Sequence, residues 1–462
     1  MDTAPFTESL VPPTSGMLVR EDTRLEPGVY FLPDGILIDT DNVTLDGNGA
    51  TLIGDSRRGV GVNVNGHNNV TIRNLRILDF YHGIAVRNAS DVTIEKNQIT
   101  STAEVEANTI FLDIWMPPEE AYGGGILMVK VNGAEIHDND LQHQMNGLMT
   151  YHCNKLHVRR NNASYSSGFG IHLFHTCDSI FEENWVEYCN RYEPRDKGKA
   201  VLGVGAIGHM GADATGFLIV HSSCRNIFRR NSVRMGGDGF FLAGRSAKGE
   251  DVGCNDNLFE ANDASLSPNI GFESTFSRGN IFRNNWADRG NFGFWLGYST
   301  DTVVEGNRCL LNRQAGVAVE HGVGFKVHNN DFQGNGHGIL LWTKYLEDLQ
   351  ADDNCNKTSR DWLIEHNTFY RNGVGIAVRA DQDHGIRPAE DSTNSQPELR
   401  PTDTVIRHND IQDNRIGIHL LRADRTTIEK NKINKNVEAE IRREDDRETT
   451  LGHNLGMRGA YL

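Results

Sequence analysis

His82-Gly83-Ile84-Ala85-Val86-Arg87, followed by Val92-Thr93-Ile94-Glu95-Lys96-Asn97-Gln98-Ile99, is a phrase that this chain keeps repeating. Far downstream, Ile416-Gly417-Ile418-His419-Leu420-Leu421 leads to Thr427-Ile428-Glu429-Lys430-Asn431-Lys432-Ile433. Between them the glycine-led slot recurs, as in Gly147-Leu148-Met149, Gly170-Ile171-His172, Gly271-Phe272-Glu273, Gly293-Phe294-Trp295, Gly316-Val317-Ala318 and Gly338-Ile339-Leu340. The period is roughly 21–24 residues, which signals a solenoid. One such unit has an apolar face that only a neighbouring unit can bury.

Apolar residues alternate within each phrase: Ile84 and Val86 flank Ala85, and Val317 and Val319 flank Ala318. That is the period of a half-buried strand. A second short strand follows, then an Asn (Asn97, Asn139, Asn161, Asn184, Asn231, Asn307, Asn367, Asn409, Asn431), then a third apolar segment. Asn tolerates a left-handed corner, so these residues are expected to make the corners themselves. They are also expected to stack as a ladder.

Three short strands per turn with in-register stacking describe a parallel β-helix. On these residues the chain resembles the pectate-lyase-like, right-handed β-helix superfamily. It also resembles the wider group of β-helix-repeat proteins that includes the periplasmic maturation factor of nitrous oxide reductase. The resemblance implies an all-β, single-domain, right-handed parallel β-helix solenoid of about 13–15 coils with long inserted loops. The expected layout is a cap and first coil over 1–56, coils over 57–437 and a C-terminal cap over 438–462. Insertions are expected at 103–123, 188–215, 245–253, 343–361 and 380–404, and inserted loops often mark a binding face. Residue roles from the pectin-degrading branches do not carry over. The chain has no N-T-D, G-D-D or G-H-G motif, and no acid triplet with the lyase arginine pattern.

The bulk composition narrows the function. A net charge of −16 argues against nucleic-acid partners. No apolar stretch reaches the length of a membrane helix, so no membrane partner is expected. Seven cysteines without a paired motif suggest reduced thiols and a cytoplasmic setting. A trimmed signal would make the setting periplasmic or secreted. The oligomeric state is not legible.

Counting from each glycine gives columns. Residues two and four positions on should face outward: Met149 and Tyr151, His172 and Phe174, Glu273, Trp295, Glu320, Trp342. Exposed aromatics there would stack on sugar faces; the plainer alternative is that inserted loops bury them. Five positions after the glycine stand His152, His175, His221 and His321. They read as substrate ligands, as a corner stack or, less readily, as a metal site; otherwise no cofactor is expected. Carboxylates set the chemistry. Glu273 and Glu320 form the expected acid/base pair of a glycoside hydrolase, with Asp213 or Asp238 as alternative partners. Substrate contacts are expected from Tyr151, His152, His172, His175, His221, Trp295, Tyr298, His321, Trp342, Lys344 and Arg245.

The leading expectation is therefore a carbohydrate-active enzyme, a glycoside hydrolase acting on an oligo- or polysaccharide in the middle coils. A polysaccharide lyase or uronate epimerase is the alternative. There Tyr151, Tyr298 or a His would be the base, and Arg245 or Lys344 the cation. A non-catalytic scaffold or metal-handling protein is a third reading.

Overall fold

The computed structural model describes residues 10–106, 109, 112–194, 208–210, 214–345, 347–352, 355–380 and 399–456. They form two compact units. One is built on residues up to Ile219 together with Ser223–Ser232, the other on Val220–Ser222 and Val233 onward. Asp213 and the polar run with Asp381, Asp383 and His384 lie outside the described residues, as do Phe111 and the glycine-rich stretch from Gly203 to Ile207.

Each unit is a stack of parallel coils. In the first, Val60–Asn65, His82–Glu95, Gly124–His137, Leu148–Tyr151 and Phe169–Phe174 pair in register. In the second, Asp238–Ala243, Ile270–Thr275, Phe292–Trp295, Ala315–Glu320, His337–Trp342, Val374–Arg379, Ile416–Leu421 and Ala439–Glu444 do the same. A further face is formed by short strands such as Arg308–Leu310, Asp331–Gln333, Thr368–Tyr370, Asp410–Gln412 and Lys432–Asn434. The only helix among the described residues is the short Glu347–Ala351. None is long and apolar enough to cross a membrane.

The repeating glycine has a steric cause. A Cβ on Gly293 would lie 2.6 Å from the carbonyl oxygen of Gly316, and one on Gly375 2.5 Å from that of Gly417. Adjacent coils approach there more closely than any side chain permits. Inside the second unit, Phe240, Phe272 and Phe294 stack face to face at 5.0 and 4.8 Å. Phe259 and Phe282 form a parallel stack at 4.8 Å, and the two stacks meet edge to face.

The asparagine ladder exists, but its residues do not make the left-handed bend. The residue before each takes it: Lys96, Asp138, Arg160 and Glu183 have φ of 54°, 56°, 50° and 56°. The Asn itself is buried, and its amide joins coils. Asn307 Nδ2 donates to Asn330 Oδ1 at 3.0 Å and to the Phe282 carbonyl at 2.8 Å. Its Oδ1 accepts from the Asn285 backbone N–H at 2.8 Å and from Asn285 Nδ2 at 3.0 Å. An exposed corner residue can be of any type, because its side chain bonds nothing essential. The buried position needs a donor and an acceptor on one short side chain, which only Asn supplies here.

The outward columns are covered, not open. Met149, Tyr151 and His172 are buried, as are Trp295, Ala318, Leu340 and Trp342. Leu349 of the 343–361 insertion packs into the same apolar cluster as Trp295, Tyr298 and Trp342. Of the two readings of the aromatic strip, the structure matches the second: inserted chain folds over Trp295 and Trp342.

Replacing Asn307 with Leu keeps the volume but strands the Phe282 carbonyl and the Asn285 N–H. The expected loss is about 2–4 kcal/mol of unfolding free energy, read from urea denaturation. A loss below ~0.5 kcal/mol would show that the ladder does not hold the coils.

Candidate functional site

Five residues after the repeating glycine, the corner residue beyond the outward strand turns left-handed in several coils. In three consecutive coils of the second unit that residue is aromatic: Phe276, Tyr298 and His321, with φ of 49°, 62° and 53°. Such a φ is costly for a large side chain. Coil-to-coil bonds hold it: Phe276 N–H to Gly297 O at 3.3 Å, Tyr298 N–H to Glu320 O at 2.7 Å and His321 N–H to Trp342 O at 3.1 Å. Phe276 and Tyr298 therefore stack in parallel at 4.5 Å, and His321 meets Tyr298 edge-on at 5.7 Å.

Two insertions read from the sequence complete a cleft on this ladder. Its volume is about 320 Å³, and Arg245, Asp251, Phe276, Arg278, Tyr298, Thr300, Asp352, Cys355 and Asn356 line it. Arg245, at the start of the 245–253 insertion, lies over the Phe276 ring at 5.4 Å. Its Nη2 bonds Asp352 at 2.9 Å, and its Nη1 bonds Cys355 Sγ at 3.4 Å. Asn356 Nδ2 donates to the Tyr298 and Ser299 carbonyls at 3.2 and 3.1 Å, docking the 343–361 insertion. Arg278 is exposed at the cleft, and among the described residues no carboxylate pairs with its guanidinium.

The Tyr298 hydroxyl donates to Glu320 Oε2 at 2.7 Å. Glu320 is 2% exposed and Tyr298 7%, so this bond is buried, with Tyr298 and not Glu320 lining the cleft. Burial and the Asp352 carboxylate push the Cys355 thiol up to about 11, leaving it neutral near pH 7.

The structure distributes the sequence-derived candidates unevenly. Tyr298 and Arg245 share the cleft, with Glu320 bonded to the former. Glu273 is half-buried and in register with Trp295, hence with Ala318, two residues before Glu320. Two coils and two residues put their backbones roughly 12 Å apart, a wider gap than stacking in one column gives. Asp238 is fully buried, and its Oδ1 accepts from Asn269 Nδ2 at 3.0 Å and Ile270 N–H at 2.9 Å. That is a strand-start cap, not a group open to substrate.

His321 is also corrected as a substrate ligand. It is fully buried, its Nε2 accepts the Lys344 N–H at 3.0 Å and its Nδ1 donates to the Asn356 carbonyl at 3.0 Å. Both nitrogens are spent on holding the insertion, and Lys344 contributes its backbone there. Trp295 and Trp342 are 6% and 2% exposed, and neither indole N–H has a hydrogen-bond partner among the described residues. They are not an open stacking platform. In the first unit Tyr151 is buried edge-on to His172 at 5.3 Å, and burial raises its phenol. His152 and His175 are exposed corner residues with rings 5.3 Å apart. His221 takes the same left-handed corner in the second unit. Among the described residues no group of three or more His, Cys, Asp or Glu is arranged to hold a metal ion.

Phe276, Arg278, Asp352, Cys355 and Asn356 were not singled out from the sequence. Phe276 was within reach, since it stands five residues after Gly271 just as His321 stands five after Gly316. Nothing local marks the others, because distant segments bring them together.

The family of the right-handed beta helix region matches residues 34–265, 214–355 and 354–455. Among solved structures, a variant of the periplasmic alginate epimerase AlgG aligns over 90% of this chain and 84% of that chain, at 12% identity and a TM-score of 0.47. The A-module of mannuronan C-5 epimerase AlgE6 from Azotobacter vinelandii aligns over 96% and 91%, at 15% and 0.35. DFA-IIIase from Arthrobacter chlorophenolicus A6 in complex with GF2 aligns over 73% and 69%, at 11% and 0.34. No curated protein matches the chain.

Burial pushes the His321 pKa down to about 4. The unfolded chain therefore binds the proton more tightly. The stability this histidine contributes is full above about pH 6.5 and is lost as pH falls toward 4, on the order of 3 kcal/mol in all. His321→Gln should flatten the fall in unfolding free energy between pH 7 and pH 4 relative to the parent. Equal slopes would refute the clamp.

Proposed function

Because this chain belongs to the right-handed β-helix family, a fold that hosts many chemistries, its function has to be argued from the cleft. We propose a carbohydrate-active enzyme that removes the proton beside the carboxylate of a uronic-acid unit, as a polysaccharide lyase or uronate epimerase. One observation supports this reading above all: Tyr298, whose phenol bonds Glu320 at 2.7 Å, lines a cleft with two arginines. In a chain of net charge −16, an arginine without a carboxylate partner at a cleft suits an anionic substrate.

The chemistry follows from those groups. Arg278, with Arg245 in the same cleft, binds the substrate carboxylate. The Tyr298 oxygen takes the proton from the adjacent carbon while its own proton passes to Glu320. The electron pair moves onto the carboxylate as an enediolate, which the guanidinium charge stabilises. Expulsion of the β-linked glycosidic oxygen, which takes the proton now on the Tyr298 oxygen, gives an unsaturated sugar. Reprotonation from the opposite face gives the epimer. The hydrolase reading has less support, since Glu320 is bonded to Tyr298 and lies off the Glu273 column.

A panel of polyuronates in D2O tests the proposal. An unsaturated product absorbing in the ultraviolet identifies a lyase, and deuterium at the epimerised carbon an epimerase. Tyr298→Phe should lower kcat at least ~100-fold, and Arg278→Ala should mainly raise KM. Full activity of Tyr298→Phe would sink the assignment. Cleavage of neutral glycans that is lost in both Glu273→Gln and Glu320→Gln would establish hydrolysis instead.

A further inference from the structure

We propose that Cys177 and Cys224 form an oxidation site, a thiol pair on adjacent coils that a peroxide closes into a reversible cross-coil disulfide. Both belong to the first unit, whereas the residues of the proposed cleft belong to the second. Ile180–Glu182 pairs in register with Ile227–Arg229, so the two cysteines, each three residues upstream, face each other across one coil step. That step is about 4.8 Å, inside the ~4.4–6.8 Å span of Cα atoms that a disulfide bridges. The Cys224 N–H donates to Cys177 Sγ at 3.3 Å.

Flanking bonds keep the two turns aligned. Thr176 N–H donates to Ser223 Oγ at 3.0 Å, Asn226 Nδ2 donates to the Thr176 carbonyl at 2.8 Å, and Arg225 forks onto Asp178 at 2.7 Å through each nitrogen. The two residues are 7% and 9% exposed, so the oxidant must be small.

The surroundings set these sulfurs apart from the rest. Bonds from the Cys224 thiol and N–H, with charge from His175 and Arg225, hold Cys177 below the usual thiol range. Asp178, the other ionisable neighbour, is neutralised by Arg225. On the adjoining coil, burial pushes the Cys153 thiol up to about 12. Cys189 is likewise raised to about 12, Cys309 well above 9 and Cys355 to about 11. Thiolate is the reactive form, so Cys177 is favoured as nucleophile over Cys153, Cys189, Cys309 and Cys355 near neutral pH.

The step balances. The Cys177 thiolate attacks one peroxide oxygen, the O–O bond breaks and hydroxide leaves, giving a sulfenic acid. Cys224 sulfur then attacks Cys177 sulfur, and its proton with the sulfenic hydroxyl leaves as water. Overall two thiols are oxidised to a disulfide and hydrogen peroxide is reduced to two waters.

The full-length protein is treated with hydrogen peroxide and mapped by peptide mass spectrometry. Fragmentation is needed because Cys177 and Cys189 share a tryptic peptide. The expected product is a Cys177–Cys224 link that dithiothreitol reverses. In untreated protein, iodoacetamide at pH 7 should alkylate Cys177 more than ~10-fold faster than Cys355, although Cys355 is the more exposed. Oxidation of Cys355 first, absence of the link under peroxide, or alkylation of Cys177 no faster than Cys355 would each overturn the proposal. In Cys224→Ser, peroxide should leave Cys177 as a sulfenic acid trapped by dimedone. Failure to trap it in folded variant would overturn the proposed order of attack.

Discussion

A buried amide bonded to the amide above and below it is the interaction on which the coils depend. Each asparagine of the ladder satisfies a backbone carbonyl and a backbone N–H of the preceding coil, as Asn307 does with Phe282 and Asn285, and donates to the asparagine of the next coil, as Asn307 does to Asn330. One such bond contributes about 1 kcal/mol net, but leaving its partners unsatisfied in the interior costs more. The ladder therefore acts mostly by forbidding slippage. A coil displaced by one residue would leave a row of buried polar groups without partners and turn its apolar side chains outward.

Fixed register is what makes a site possible on this scaffold. Phe276, Tyr298 and His321 are separated by 22 and 23 residues in the chain, yet each stands on the next because its glycine stands on the next glycine. The left-handed bend at these three corners sends the rings to the edge of the coil, where insertions are tolerated. Two insertions close on that edge. His321 spends both ring nitrogens on one of them, and Arg245 reaches from the other to Asp352. The Tyr298–Glu320 bond then joins a buried carboxylate to a residue that shares a cleft lining with two arginines.

Much of this was legible before any coordinates. The alternation around Ile84 and Val86 gave strands, the recurring asparagines gave a ladder, and counting from glycine gave columns. The same count that picked out His321 reaches Tyr298 and Phe276. The count could not say which column is covered. Trp295 and Trp342 occupy outward positions, but Leu349 and its neighbours fold over them. Nor could it separate the column of Glu273 from that of Glu320, because offsets of two and four from glycine both read simply as outward. The asparagines were identified correctly and their conformation was not, since side-chain bonding and backbone bending fall on adjacent residues.

The amino-acid sequence by itself determined the coil, its period and the order in which side chains stack, because these follow from local alternation and from a steric demand for glycine repeated at every turn. Only the tertiary structure decided what the cleft contains. Whether Arg245 meets Asp352, whether Tyr298 meets Glu320 and whether a tryptophan sees solvent depend on where irregular insertions come to rest. Those insertions carry no repeat, and their positions are set by packing against surfaces that exist only once the coils have formed.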